Sequence, residues 1–187
     1  MTNTSNKILA FIGDGEGKTS AAIGHAVRAA GHGKKVAILQ FLKGQERCGE
    51  YKYFKKCNGI EIYLVGDPSF FIDPSKKDIH IKKAKEGLSL AKKLISSKEY
   101  FLIVLDEIFD AAAAGLISNN DIGELIDTVR AGRGNEVMAG RDRPQHIILT
   151  GRILPPELSR KIDLVTQMKK IKHYYDLGDK GIEGLDW

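Results

Sequence analysis

The run Gly13-Asp14-Gly15-Glu16-Gly17-Lys18-Thr19-Ser20 holds the residues of this chain best suited to chemistry. Its three glycines let successive backbone N–H groups curl around an anion. Lys18 adds a point charge, and the hydroxyl of Thr19 or Ser20 is a hard oxygen ligand for Mg²⁺. An apolar stretch, Ile8 to Ile12, precedes the run, and an Ala-rich helical pattern, Ala21 to Ala30, follows it. Strand, glycine-rich turn, Lys-Thr and helix are the parts of a phosphate-binding P-loop, with the positive end of the helix dipole aimed at the anion. The loop is one residue short. Usual spacing puts four residues between the first glycine and Gly-Lys, which here falls on Ile12, and the nearest glycine is Gly13. A shorter cradle holds a triphosphate differently from an ordinary ATPase or kinase.

A second constellation lies at Phe101-Leu102-Ile103-Val104-Leu105-Asp106-Glu107. An apolar run ending in two carboxylates reads as a buried parallel strand with acid at its C-terminal end. Beside a P-loop, such an acid organises a magnesium ion and its waters. Taken alone, the same Asp would be an ordinary helix cap after a core strand. Thr150-Gly151-Arg152 offers a guanidinium at another strand end, suited to a phosphate contact or to a plain ion pair.

These residues need a scaffold that brings strand ends together. Short apolar runs fall at Lys7–Ile12, Lys35–Phe41, Ile60–Val65, Phe101–Asp106, His146–Thr150 and Leu164–Met168. Helical patterns fall at Lys18–Ala30, Asp78–Ser96, Asp110–Leu116, Asn120–Arg130 and Pro156–Lys161. The alternation predicts an α/β, P-loop NTPase-like fold, a mostly parallel sheet with helices on both faces. Ligands then bind at the C-terminal ends of the strands, where the P-loop, Gln40-Phe41, Asp106-Glu107 and Thr150-Gly151-Arg152 all lie. The segment from Arg130 to Pro144 is rich in Gly and Arg and lacks periodicity, so it reads as a long loop. Its four arginines, Arg130, Arg133, Arg141 and Arg143, would either clamp phosphates or belong to a surface insertion.

At 187 residues, with 42% hydrophobic and 28% charged, the chain has the size and make-up of one globular domain spanning 1–187. No apolar run reaches the length of a membrane span, and Met1 to Lys7 has no apolar signal segment. Cys48 and Cys57 lack a metal-ligand or Cys-x-x-Cys spacing, so two reduced thiols in a cytoplasmic protein are expected. A net charge of +5 favours anionic partners. The lysine pairs are spread out and not interleaved with aromatic residues, which makes nucleic acid an unlikely partner.

The motifs together resemble the P-loop type of cob(I)alamin adenosyltransferase. The likeness rests on Gly13-x-Gly15-x-Gly17-Lys18-Thr19-Ser20-Ala21-Ala22 with Arg28-Ala29-Ala30-Gly31-His32-Gly33. It continues through Gln40-Phe41-Leu42-Lys43-Gly44, Gly49-Glu50, Leu105-Asp106-Glu107-Ile108 and Leu149-Thr150-Gly151-Arg152. Pro156-Glu157-Leu158, Asp163-Leu164-Val165-Thr166-x-Met168, Lys172-His173 and the tail Gly178-x-Lys180-x-x-x-Gly184 complete it, so it covers nearly the whole chain.

The resemblance implies attack of Co(I) of a reduced corrinoid on the 5′-carbon of ATP, with release of triphosphate. It also implies that ATP is held in a reversed sense, with the ribose carbon facing the nucleophile. Because Co(I) is itself the nucleophile, the protein's task is positioning and charge stabilisation. That task falls to Lys18, the loop N–H groups from Gly13 to Ser20, Mg²⁺ (or Mn²⁺) on Thr19 with Asp106 or Glu107, and Arg152. Phe70 and Phe71 lie where the family packs aromatic residues beneath the corrin. The resemblance further implies a homodimer and an electron-donating flavoprotein reductase. Two departures stand out. Glu16 occupies a usually basic position, and Gln167 replaces a usual Glu. His173, with Tyr174 and Tyr175 beside it, suits packing or the corrin rim. The rival readings are an ATPase or kinase that splits the β–γ bond, and a nucleotide-regulated module that binds a corrinoid or nucleic acid without adenosyl transfer.

Overall fold

The computed structural model describes residues 5–68, 74–131 and 145–186. Six strands form one parallel sheet in the order β3-β2-β4-β5-β1-β6. They are β1 (Ile8–Ile12), β2 (Val36–Gln40), β3 (Ile60–Leu64), β4 (Leu102–Asp106), β5 (His146–Gly151) and β6 (Leu164–Gln167). The helices are α1 (Lys18–Gly31), α2 (Gly49–Phe54), α3 (Lys77–Ser97), α4 (Ile108–Ala113), α5 (Asn119–Ala131) and α6 (Pro156–Ser159).

Every residue of β2 and β4 is buried, as strands covered on both faces require. Alternate side chains then feed two cores. Ala37, Leu39, Ile103 and Leu105 pack with α3, α4 and α5 on one face. Val36, Ile38, Leu102 and Val104 pack with α1 on the other. Helix α1 meets the sheet through Ala22, Ala26 and Ala29, one stripe at helical spacing whose small side chains let the helix lie close. That close packing fixes the helix N-terminus directly after β1. No helix among the described residues is long and apolar enough to cross a membrane.

Strand β6 is the exposed edge. From its end the chain turns back across the P-loop: Met168 accepts the Gly15 N–H at 2.8 Å, and the Lys170 N–H donates to Asp14 Oδ1 at 3.1 Å.

Three expectations need correction. The helix α2 was not foreseen. Its six residues are too short to show a period. The helix expected over Asp110–Leu116 starts earlier and ends at Ala113, because Glu107 breaks the chain after β4 and Gly115 turns it. Arg130 belongs to the last turn of α5, where its Nη2 donates to Lys161 O and to Asp163 Oδ1, both at 3.0 Å, so it clamps protein and not phosphate. Arg133, Arg141 and Arg143 lie outside the described residues.

Asp163 anchors the start of β1 by accepting the Ile8 N–H at 2.8 Å as well as the Arg130 guanidinium. Burial alone would raise its pKa, but the Ile8 N–H and Arg130 outweigh burial and hold the carboxyl below its ordinary value. A depressed carboxylate contributes stability above its unfolded pKa and loses it as pH falls through the folded one. Asp163→Asn should therefore cost about 1–2 kcal/mol at pH 7 by urea unfolding. The gap to the parent should narrow as pH falls below about 4.

Candidate active site

The site is built where β1, β2, β4 and β5 end. Gly17, with φ of 102°, takes the left-handed conformation that launches α1. Gly13 and Gly15 press on the backbone after β6. A Cβ on Gly13 would collide with the Met168 carbonyl, and one on Gly15 would stand 2.8 Å from the Lys169 carbonyl carbon. Two loop N–H groups are committed inward, Gly13 to Arg152 O at 2.9 Å and Gly15 to Met168 O at 2.8 Å. They hold the loop's shape and are not donors to an anion in this state. The donors left to a phosphate include those at the first turn of α1, which by construction lack intrahelical partners. Lys18 Nζ folds back onto Gly15 O at 2.7 Å.

Asp106 is the hub. It is 1% exposed. Its Oδ1 accepts the hydroxyls of Thr19 at 2.9 Å and Thr150 at 2.7 Å. Its Oδ2 accepts Gln40 Nε2 at 3.1 Å and faces Lys43 Nζ at 3.4 Å. Glu50, from the start of α2, accepts Gln40 Nε2 at 2.9 Å and Lys43 Nζ at 3.1 Å. Gln40 Oε1 is buried with no hydrogen-bond partner among the described residues.

Glu107 sits at φ 60°, a left-handed backbone that costs a non-glycine residue about 1–2 kcal/mol. It is held there by its N–H, which donates to Thr150 Oγ1 at 2.8 Å. Burial, then the neighbouring Asp106 charge, push its carboxyl up to about 7. Burial would lower the Lys43 pKa, but Asp106, Glu107 and Glu50 together raise it well above the ordinary lysine value. Glu50 is held low, Lys43 and Gln40 outweighing its burial.

Two cavities open on this hub. One of about 650 Å³ is lined by Glu16, Gly17, Lys18, Thr19 and Ser20. The other, of about 970 Å³, runs from Phe41 and Gly44 to His80 and to the tail residues His173 and Tyr174. Leu42, Lys43, Glu50, Glu107, Arg152 and Asp186 line both, so the cavities share a wall.

The structure thus gathers Lys18, Thr19, Ser20, Asp106, Glu107 and Arg152 at one place. Asp14 binds the tail through Lys170 N, and its carboxyl is lowered mainly by that bond. Glu16 extends towards His173, with Oε2 3.9 Å from Nε2. Phe70 and Phe71 lie outside the described residues. Sequence reasoning gave no role to Gln40, Lys43, Glu50 or Thr150. Their signal was a polar Gln closing an apolar strand, and a Lys and a Glu in the loop after it.

A family model described as ATP:corrinoid adenosyltransferase BtuR/CobO/CobP matches residues 4–187. The chain belongs to that family. It is an enzyme, and the reaction is transfer of the adenosyl group of ATP to a corrinoid. A corrinoid adenosyltransferase of Pseudomonas aeruginosa is 31% identical over 180 residues, 96% of this chain and 83% of that protein. One from Escherichia coli K12 is 30% identical, over 96% of this chain and 85% of its own length. The corrinoid adenosyltransferase CobA of Salmonella typhimurium is 28% identical over the same shares. For an ATP:corrinoid adenosyltransferase, paired cavities with a common charged wall match the need to bring two large substrates to one bond.

Lys43 compensates three carboxylates, Asp106 in the hub and Glu107 and Glu50 on the wall. Lys43→Met should cost about 3 kcal/mol in denaturant unfolding without ligands, because it strands buried charge. Adding Glu50→Gln should recover part of that loss. Simple additivity of the two changes would show that they are not coupled.

Proposed function

We infer that ATP occupies the P-loop cavity and the corrinoid the larger one, so that the 5′-carbon of ATP comes to their shared wall. The observation carrying this reading is that wall itself: Lys43, Glu107 and Arg152 line both cavities, while Lys18 and Thr19 line only the P-loop side. In the step, the electron pair of Co(I) forms a bond to C5′. The C5′–O bond breaks, and its electrons leave on triphosphate. No proton is transferred, so no general base is needed. The protein must hold the two substrates in line and offset the negative charge of the leaving group.

Lys18 would leave Gly15 O and take up a phosphate oxygen. The N-terminus of α1 supplies further donors and its dipole. Arg152 faces the wall and stabilises the departing oxygens. The chain's oxygen donors fit magnesium: the Thr19 hydroxyl beside Asp106, Glu107 on the wall of the same cavity, and a buried amide oxygen of Gln40 with no partner among the described residues. Among the described residues no group of three or more His, Cys, Asp or Glu is set to hold a metal. Magnesium is commonly held by one or two carboxylates together with substrate phosphates. When bound, the ion would neutralise charge on the triphosphate.

The wider reading is a single nucleotide-binding domain over 1–187 that works in the cytoplasm as a homodimer. A flavoprotein reductase supplies the electron for Co(I), and Phe70 and Phe71 pack beneath the corrin. Two free thiols, Cys48 and Cys57, are in keeping with a reducing compartment.

The test is a visible-spectrum assay without oxygen, using ATP, Mg²⁺ and chemically reduced cobalamin. The Co(I) bands should decay into a light-sensitive alkylcobalamin. Lys18→Ala should slow that decay at least about a hundredfold while circular dichroism stays unchanged. Normal turnover by this variant would overturn the assignment of the P-loop.

A further inference from the structure

A third cavity, of about 410 Å³, lies at the opposite end of the sheet, where strands begin. It is walled by the last turns of α1 and by the residues that open β1, β4 and β5. Its base is apolar, made of Leu9, Phe101, Leu102 and Ile148. Six of its eleven lining residues are Lys, Arg or His, and none is acidic. That bias stands out in a chain with 24 Asp and Glu against 29 Lys and Arg.

Arg28, in the last turn of α1, and Lys34, whose N–H caps that helix on Ala29 O at 3.1 Å, have a local reason to be there, since cations suit a helix C-terminus. Lys7 and His146 arrive from the strand side and have none. Lys34 Nζ stands 5.6 Å from the Phe101 ring centroid, and the His146 ring meets Phe101 edge to face at 4.7 Å. His146 Nδ1 accepts the Lys7 N–H at 3.0 Å, which leaves Nε2 as the donor of the neutral ring. Burial first, then Lys7, lowers the His146 pKa, and burial with Arg28 does the same for His25. The fixed charges are Lys7, Arg28 and Lys34; none of them makes an ion pair within 4 Å among the described residues, and the carboxylate of Asp163 feels the Lys7 charge.

An inorganic anion here would meet the charges but leave the apolar base wet. A neutral apolar molecule would cover the base and leave Arg28 and Lys34 unanswered. We propose that this cavity is a second binding site, separate from the P-loop, for a small organic anion: a phosphate or carboxylate head on a flat apolar body. The body lies on Phe101, Leu102 and Ile148, and the head meets Lys7, Arg28 and Lys34. The volume suits a molecule of about two fused rings with its head group.

Calorimetric titration of the intact protein tests this with four probes. They are 1-naphthyl phosphate, 1-naphthoate, inorganic phosphate and 1-naphthol. One or both naphthyl anions should bind at one site per chain, at least about tenfold tighter than phosphate or naphthol. Whichever anion binds tighter identifies the head group. Arg28→Ala with Lys34→Ala, both away from the P-loop, should weaken that binding at least about tenfold and leave adenosyl transfer unchanged. Lys18→Ala should leave the binding intact. The proposal is overturned if no naphthyl anion binds, if phosphate alone binds as well, or if Lys18→Ala abolishes binding that Arg28→Ala with Lys34→Ala retains.

Discussion

Removing the Asp106 carboxylate from water without partners would be among the most costly features of this fold, and the site is arranged to avoid it. Hydroxyls from α1 and β5, an amide from β2 and an ammonium from the loop after β2 all converge on its two oxygens. Each charge-assisted bond is worth about 1.5–3 kcal/mol. Together they tie the P-loop helix, the two central strands and β5 into one register. The same carboxylate is the acid that a phosphate-bound cation would use.

Lys43 is central to the electrostatics around this hub. Three carboxylates, Asp106, Glu107 and Glu50, surround Lys43. Burial leaves Glu107 with a raised pKa, so part of the site's charge is held as a proton. A cation arriving with a triphosphate would favour the carboxylate form, as a nearby positive charge does in general. The strained Glu107 backbone fits this picture. It places two successive acidic residues on different work, Asp106 inward to the hub and Glu107 on the cavity wall.

Much of this was legible in the sequence. Period and punctuation place all six strands; the buried central ones, β2 and β4, read as nearly continuous apolar runs. The glycine-rich turn before α1 and the place of Asp106 at the end of β4 could be read because both are marked by fixed residue types beside a strand end. The partners of Asp106 could not. Gln40, Lys43, Glu50 and Thr150 lie 44 to 66 positions from Asp106 in sequence and meet it only when the strand order β2-β4-β5-β1 is known. The short loop also gains its reason only in three dimensions. Gly13 and Gly15 are glycines as much to lie against Met168 and Lys169 as to approach a ligand.

The central claim is that the P-loop end of the site holds triphosphate as an intact leaving group while the ribose carbon faces the corrinoid. Phosphorus NMR of a single turnover, with ATP, Mg²⁺ and chemically reduced cobalamin under nitrogen, tests it most directly. The account predicts triphosphate as the phosphorus product, in step with formation of the alkylcobalamin. Release of ADP and inorganic phosphate instead would contradict it, and would mean that the shortened loop presents the β–γ bond for cleavage as in an ordinary P-loop hydrolase.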